Sequence, residues 1–345
     1  MPSVLDIKRR IRSVRNTRQI TQAMKMISAA RLRRAQDRAV AARPYAQMIT
    51  NVLKSLVTRA DVHDPETGEL THPLLAQRAE NRILLIVVTA DKGLAGAFNA
   101  NILKAAMKFI ASKPDNQIDI EAIGRKARDF FRRRFPMKDE NAEQRAGKVQ
   151  VAGERFGLQV IDFKLANEIS KSIVQRYTDE QIDAVYLVYN EFKSVIAQRL
   201  VVDRVLPVVE IGTDDVSQSE EQTREERERS AEAAASAGVS LHEADTSEID
   251  RVASQFATKQ VDYIYEQSPE ELFRSLLPKY VAVQLYRALI ESNAAEHAAR
   301  MTAMDSATNN AKEMIDSLTL KMNRARQASI TKEIIEIVSG AAALT

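Results

Sequence analysis

Residues 301–325, MTAMDSATNNAKEMIDSLTLKMNRA, decide the fold of this chain. Apolar and small residues recur there at alternating intervals of three and four, at Met301, Met304, Thr308, Ala311, Ile315, Leu318, Met322 and Ala325. This repeat aligns the side chains along one stripe of a helix and is typical of a coiled-coil seam. No glycine or proline interrupts the chain between Pro278 and Gly340, so the pattern predicts a helix on the order of 90 Å long.

A second long helix is predicted at the N-terminus, where no glycine or proline lies between Pro2 and Pro44. A looser version of the same stripe runs through Val4, Ile7, Ile11, Val14, Thr21, Met24, Ile27, Ala35, Ala39 and Ala42. Each apolar stripe needs a partner, and a folded segment between the two helices can reverse the chain. We therefore expect residues 1–60 and 266–345 to form an antiparallel coiled coil.

The middle of the chain alternates between strands and helices. We expect strands at 83–88 (ILLIVV), 118–123, 182–192 and 199–209, and helices at 102–111, 125–135 and 164–177. Such alternation predicts a mainly parallel sheet with helices on its faces. The fold class is therefore α/β: a Rossmann-like central domain at about residues 80–212, joined to a long helical coiled coil.

Composition excludes several classes of protein. The 345 residues include no cysteine, which excludes disulfides, thiolate metal sites and thiol chemistry. No run approaches the roughly 18 apolar residues of a membrane span. Net charge is only +3, but twelve basic residues face one acid between Lys8 and Arg43. The N-terminal helix is therefore basic, while the rest of the chain is acidic.

An acidic segment at 213–260 follows the α/β domain. It contains twelve acidic and five basic residues and few apolar ones, which favours a solvated, mobile insertion with transient helix.

Catalytic and metal sites find no support in the sequence. Residues 91–99, DKGLAGAFN, match neither a dinucleotide fingerprint nor a Walker loop, so a structural turn is the favoured interpretation. The histidines, His63, His72, His242 and His297, show no metal-ligand spacing, and no G-x-S-x-G elbow is present. We expect no catalytic residue, no metal and no cofactor.

Two features remain that point to partners. The basic N-terminal helix, with Arg9, Arg10, Arg12, Arg31, Arg33 and Arg34, is compatible with nucleic acid or with an acidic protein surface. Near the C-terminus the helix becomes apolar nearly all round, at Ile330, Ile334, Ile335, Ile337 and Val338. Such a helix end predicts an apolar protein environment, which nucleic acid does not provide.

Three motifs resemble the gamma subunit of F-type ATP synthases. They are the C-terminal run 330–343 (ITKEIIEIVSGAAA), the segment 296–304 (EHAARMTAM) and the N-terminal pieces DIKRRI, NT, QIT, AM and LRRAQ between 6 and 36. The likeness covers both long helices and the central domain, but not the acidic segment. Ala95 and Ala97 depart from the family loop, so the resemblance does not carry the contacts of the replaced residues over to this chain.

The resemblance implies a non-catalytic rotor shaft that couples proton flow to ATP synthesis. Its expected partners are three alpha and three beta subunits, an epsilon subunit and a membrane c-ring, with no nucleic acid and no direct membrane insertion. A basic coiled-coil nucleic-acid-binding protein is the alternative, and an α/β enzyme with a ligand near Gly93 and Gly96 is another.

The resemblance also assigns roles to individual residues. Contacts with the stator are expected at Met24, Lys25, Arg326, Gln327, Thr331 and Glu333. An apolar bearing is expected to hold Ile334, Ile337, Val338 and Leu344. The expected location is the cytoplasmic side of a bacterial inner membrane, as a peripheral protein. The acidic segment stands where photosynthetic relatives have a regulatory insertion, so it is either a brake on ATP hydrolysis or an acidic spacer.

Overall fold

The computed structural model describes residues 3–57, 72–139, 147–157, 161–195, 198–208, 211, 215–239 and 268–342. In chain order the helices are α1 (Val4–Val57), α2 (Phe98–Ser112), α3 (Arg125–Phe131), α4 (Phe163–Thr178), α5 (Arg224–Ala237) and α6 (Pro269–Ala342). The strands are β1 (Arg82–Val88), β2 (Gln117–Ile123), β3 (Val149–Arg155), β4 (Ala184–Phe192), β5 (Gln198–Leu206) and β6 (Asp215–Glu221). A short 3-10 helix, Pro73–Leu75, precedes β1.

Helices α1 and α6 form the predicted antiparallel pair, which we call the helical pair. Thr21 contacts Thr308 and Lys25 contacts Asp305, so residue numbers fall along α6 as they rise along α1. At about 1.5 Å per residue the helices are about 80 and 110 Å long. Both continue through a proline, Pro44 in α1 and Pro278 in α6.

The seam of α6 is confirmed, because every residue of the 301–325 repeat is buried or half-buried. The seam of α1 differs from the expectation at one position. Ile27 is exposed, and the buried positions are instead Lys25 and Ser28. The 3.5-residue repeat that passes through Thr21 continues to these two, so polar side chains occupy the seam there.

The central domain is built on one six-stranded sheet in the order β3-β2-β1-β4-β5-β6. Strands β1 to β4 are parallel, and β5 and β6 are added in antiparallel orientation. The predicted Rossmann-like α/β fold is confirmed in its parallel half, where a helix follows β1, β2 and β3. We call the sheet with α2, α3, α4 and α5 the foot domain.

Both faces of the sheet are covered. Alternate residues of β1 point to opposite faces: Leu85 lies in one core with α2, α3 and α5, and Leu84 lies in the other with α4. Residues 273–289 of α6 pack in the second core and residues 294–301 in the first. The helical pair therefore crosses from one face of the sheet to the other.

Two parts of the foot domain differ from the sequence analysis. Strand β3 was not predicted, because its sequence VQVAGER is polar and only half-buried on the edge of the sheet. The first half of the predicted acidic insertion contains β6, which pairs with β5, and α5, which begins with a Thr223–Glu226 capping box. The second half, 240–260, lies outside the described residues, and the domain limits as a whole remain a prediction.

Candidate functional site

A polar layer lies inside the seam of the helical pair. Lys25 Nζ and Asp305 Oδ1 are 2.8 Å apart, with side chains only 10% and 12% exposed. The Ser236 hydroxyl of α5 accepts from Lys25 Nζ at 3.0 Å and donates to Asp305 Oδ1 at 3.2 Å. A buried charge is stable only when it is paired, so this layer allows one register of α1 against α6.

The polar layer determines the orientation of Lys25, one of the two residues of α1 that were predicted to contact the stator. The ammonium group of Lys25 points inward and is occupied, and Met24 is half-buried. The apolar side chains that α1 presents to the outside here are Ile20, Met26 and Ile27, each more than half exposed. The sequence analysis did not identify these three residues as exposed. Their positions outside the 3.5-residue repeat could have indicated it, because residues outside the repeat face away from the partner helix.

The end of α6 projects beyond α1. Residues 326–339 are all exposed, whereas Ala325 is still half-buried against the start of α1. We call residues 326–342 the free helix end; at about 1.5 Å per residue it is about 25 Å long. It is a single helix without a packed partner in the described part of the chain.

The polar contact residues predicted on the free helix end are Arg326, Gln327, Thr331 and Glu333, and all four are exposed. Thr331 donates to the Gln327 carbonyl at 2.9 Å, and Glu333 accepts from Ser329 at 3.1 Å. Within the described residues no carboxylate lies within ion-pair distance of Arg326. Its guanidinium is therefore available to a partner.

The residues predicted to lie in the apolar bearing are next along α6. Ile334, Ile337 and Val338 are 54%, 71% and 61% exposed, and Ile330 and Ile335 are exposed to a similar degree. Leu344 lies outside the described residues. These side chains cover one broad face of the helix and not nearly all of its circumference, because Lys332, Glu333 and Glu336 lie on the opposite side. An exposed aliphatic face of this size is unfavourable in water, which indicates an apolar partner surface.

The loop after β1 is a structural turn, as expected. The Arg300 guanidinium of α6 donates to the Gly93 carbonyl at 3.2 Å, and Asn99 Oδ1 accepts from the Ala90 amide at 2.9 Å. Ala95 is buried in the core and Ala97 is exposed. Among the described residues no cluster of metal-ligating side chains is present.

No helix in the described ranges has an apolar stretch that could cross a bilayer.

Comparison with known proteins identifies the family to which this architecture belongs. The family described as ATP synthase matches residues 3–344. An ATP synthase gamma chain of Solibacter usitatus is 49% identical over 99% of both chains, and one of Heliobacterium modesticaldum is 42% identical over the full length of both.

Solved structures show the same fold. A chain of the Tetrahymena thermophila mitochondrial ATP synthase central stalk and c-ring matches with a TM-score of 0.51 and 22% identity, covering 84% of this chain and 99% of that one. A chain of the Euglena gracilis mitochondrial ATP synthase matches with a TM-score of 0.54 and 17% identity, covering 99% of this chain and 94% of that one.

The paired helices, the foot domain and the exposed apolar end define a mechanical, non-catalytic subunit of a rotary motor. The chain belongs to the ATP synthase gamma-chain family. Its function is that of the central rotor shaft in ATP synthesis and ion transport. No comparison favours the nucleic-acid alternative.

Proposed function

We propose that the helical pair turns as one body inside a ring of three alpha and three beta subunits. In this assembly the foot domain contacts an epsilon subunit and a membrane c-ring, and the helical pair transmits torque from the foot domain to the beta subunits. The polar layer supports this proposal, since a helix pair that slipped in register would lose torque. The Lys25–Asp305 contact opposes such slippage because sliding would separate two buried charges.

The free helix end is the observation on which the proposal rests most. We place Ile334, Ile337 and Val338 in an apolar bearing formed by the surrounding ring, with Leu344 beyond them. Apolar contacts are non-directional, so a helix can rotate within them without breaking fixed hydrogen bonds. The bearing then holds the axis while the helix turns.

Directional contacts belong to the polar residues that precede the bearing along α6 or lie beside its first residue. Arg326, Gln327, Thr331 and Glu333 are exposed polar groups on the free helix end, and we assign them to contacts with loops of the beta subunits. Polar and charged contacts at an interface set register and partner choice more than they set affinity. They can therefore form with one beta subunit and re-form with the next.

At the level of Met24 and Lys25 we propose contact with acidic levers of the beta subunits. Because the Lys25 ammonium is held by Asp305, the outward side chains Met26 and Ile27 meet the levers directly. Exposed arginines elsewhere on α1, among them Arg9 and Arg10, supply the positive potential. Opposite charge at this distance favours approach without a buried, fixed ion pair.

The shaft does no chemistry in this mechanism. It contacts each beta subunit differently at any moment, so rotation changes which nucleotide site is stabilised in its open or closed form. The difference between these contacts couples the rotation to the nucleotide sites, and the proton flow supplies the work. We locate the assembly at the cytoplasmic side of a bacterial inner membrane, where this chain is peripheral.

Reconstitution with alpha, beta, epsilon and the membrane sector tests the proposal. The double variant Ile337→Ser/Val338→Ser keeps the helix but removes the apolar surface of the bearing. We expect the complex to assemble and the number of protons pumped per ATP hydrolysed to fall. A matched control, Met314→Ser/Leu320→Ser, removes two exposed apolar side chains from the same helix below the free end.

The control is expected to keep normal coupling. Equal loss in both variants would show that any exposed apolar side chain on α6 matters, and no loss in either would remove the bearing from the proposal. Failure of the full-length chain to associate with alpha and beta at all would contradict the shaft assignment.

A further inference from the structure

A cavity of about 650 Å³ lies where the helical pair crosses the carboxyl ends of β1 and β2. Its floor includes Thr89 and Gly124, which follow these two strands, and its walls come from α1 and α6. Ligands of open α/β sheets bind outside the carboxyl ends of the strands where the strand order reverses, and β1 borders the reversal between β1 and β4. The volume is also within the range of small-molecule sites. Nothing in the rotor function uses it.

Five cationic side chains line the cavity. Arg31, Arg34 and Arg38 lie three and four residues apart, so they share one face of α1. Lys92 and Arg125 come from the loops that follow β1 and β2. Within the described ranges, none of the five has a carboxylate at ion-pair distance. Arg33, which lies between two of them in sequence, is turned away and bonds to the Gly238 carbonyl.

The two carboxylates in the lining are already engaged. Asp91 accepts from the Arg125 amide at 2.8 Å, and Glu296 accepts from Arg300 at 2.6 Å. Arg300 also holds the Lys92–Gly93 backbone, which fixes the loop. The cavity therefore has a positive potential that its own acids do not cancel.

A buried histidine responds to this potential. His297, in the cavity wall, has its pKa lowered to about 4 by burial and by the charges of Arg300 and Arg31. It is therefore neutral at pH 7. The imidazole adds no charge of its own, and the arginines dominate the field in the cavity.

The floor of the cavity is rigid. Gly124 has a φ of +93°, and a Cβ atom there would lie 2.1 Å from the Thr89 carbonyl oxygen. The Thr89 hydroxyl accepts from the Ala127 amide at 2.8 Å. Both loops that supply cations are thus held by hydrogen bonds and close packing, which is the preorganisation that a binding site needs.

We propose that this cavity binds a small polyphosphate anion, either free or as the tail of a nucleotide. Guanidinium groups match phosphate oxygens in geometry and charge, and three of them on one helix face can contact successive phosphates. A cavity of this volume admits a small anion. This binding is additional to the rotor function and does not depend on it.

Isothermal titration of the purified full-length chain tests the proposal, with sodium tripolyphosphate and ATP as separate probes at fixed ionic strength. We expect one site per chain for at least one probe. Tighter ATP binding identifies a nucleotide. Tighter tripolyphosphate binding identifies the free anion.

The variant Arg34→Gln/Arg125→Gln is expected to weaken binding at least tenfold. A matched control, Arg12→Gln/Arg15→Gln, removes the same charge from exposed positions of α1 outside the cavity and is expected to change binding less than twofold. Lys92→Gln, in an exposed loop position, provides a second test if the first variant does not fold. Absence of saturable binding, or equal weakening in the cavity and control variants, would overturn the proposal.

Discussion

At the scale of single residues, the most informative group is Lys25. In the sequence Lys25 lies beside the seam of small and apolar residues of α1. Because a lysine side chain is charged, its ammonium group is expected to point outward to solvent or to a partner. The structure pairs it instead with Asp305, 280 positions away, and adds Ser236 from α5. Lys25 therefore acts mainly within the chain, where it stabilises the helical pair and fixes the register of α1 against α6.

Replacing Lys25 by methionine should destabilise the helical pair by about 3 kcal/mol, because Asp305 is left buried without its partner. The double variant Lys25→Met/Asp305→Leu should recover most of that loss, since no buried charge remains. Denaturant unfolding of the four members of this cycle measures the coupling. Lys8→Met, at an exposed position of α1, is the control and should change stability by less than about 0.5 kcal/mol.

His297 gives a pH dependence whose sign can be stated. Its pKa falls to about 4 in the folded chain, from 6.5 in the unfolded chain. Between these values the unfolded state binds a proton that the folded state does not, so stability decreases as the pH falls through this window. From pH 7 to pH 5 the loss should be about 2 kcal/mol.

The variant His297→Gln removes this proton. Its unfolding free energy should therefore fall by less than that of the parent chain over the same pH range. Parallel pH profiles of the two proteins would mean that other groups account for the acid sensitivity.

At the scale of elements, the two ends of the helical pair are held very differently. Near the foot domain, α1 and α6 share large cores with the sheet. At the far end the described residues form only a small hydrophobic cluster, in which Ile7, Ile11 and Ile315 are buried and a few neighbours are half-buried. Local opening should therefore begin at this far end.

Truncation of either central side chain in this small cluster should open the far end further. Ile11→Ala and Ile315→Ala should each cost about 2–4 kcal/mol of local stability. Hydrogen exchange should show lost protection at 4–14 and 311–325 and unchanged protection in β1 and β2. Leu320→Ala, at an exposed position of α6, should leave both regions unchanged.

At the scale of the whole molecule, rotation requires α1 and α6 to move together. The chain has no cysteine, so an introduced pair would be its only thiols. The hydroxyls of Thr21 and Thr308 are 2.8 Å apart, which brings sulfur atoms at these positions within reach of each other.

Oxidation of the variant Thr21→Cys/Thr308→Cys should link the two helices and leave ATP hydrolysis by the assembled complex within twofold of the reduced state. The helices already turn as one unit in our proposal, so the link constrains no motion that the mechanism needs. Strong inhibition that reduction reverses would instead show that the two helices move relative to each other during the cycle.

The sequence by itself determined the long helices, their antiparallel pairing and the buried parallel strands β1, β2 and β4. Helical seams and continuous apolar strands are local sequence patterns. The spacing of their apolar residues specifies which side chains are buried, whatever the rest of the chain does. The exposed apolar end of α6 was readable for the same reason, because its cluster of large aliphatic residues is visible in the local sequence.

Only the tertiary structure decided the polar layer, the edge strands β3 and β6, and the cavity at the end of β1 and β2. Lys25 and Asp305, or Arg34 and Arg125, are far apart in sequence, and no periodicity relates them. Polar edge strands form because neighbouring strands offer unpaired backbone groups, not because their side chains require burial. Charge pairing and strand addition depend on which surfaces the fold brings together, and this is settled only when the chain has packed.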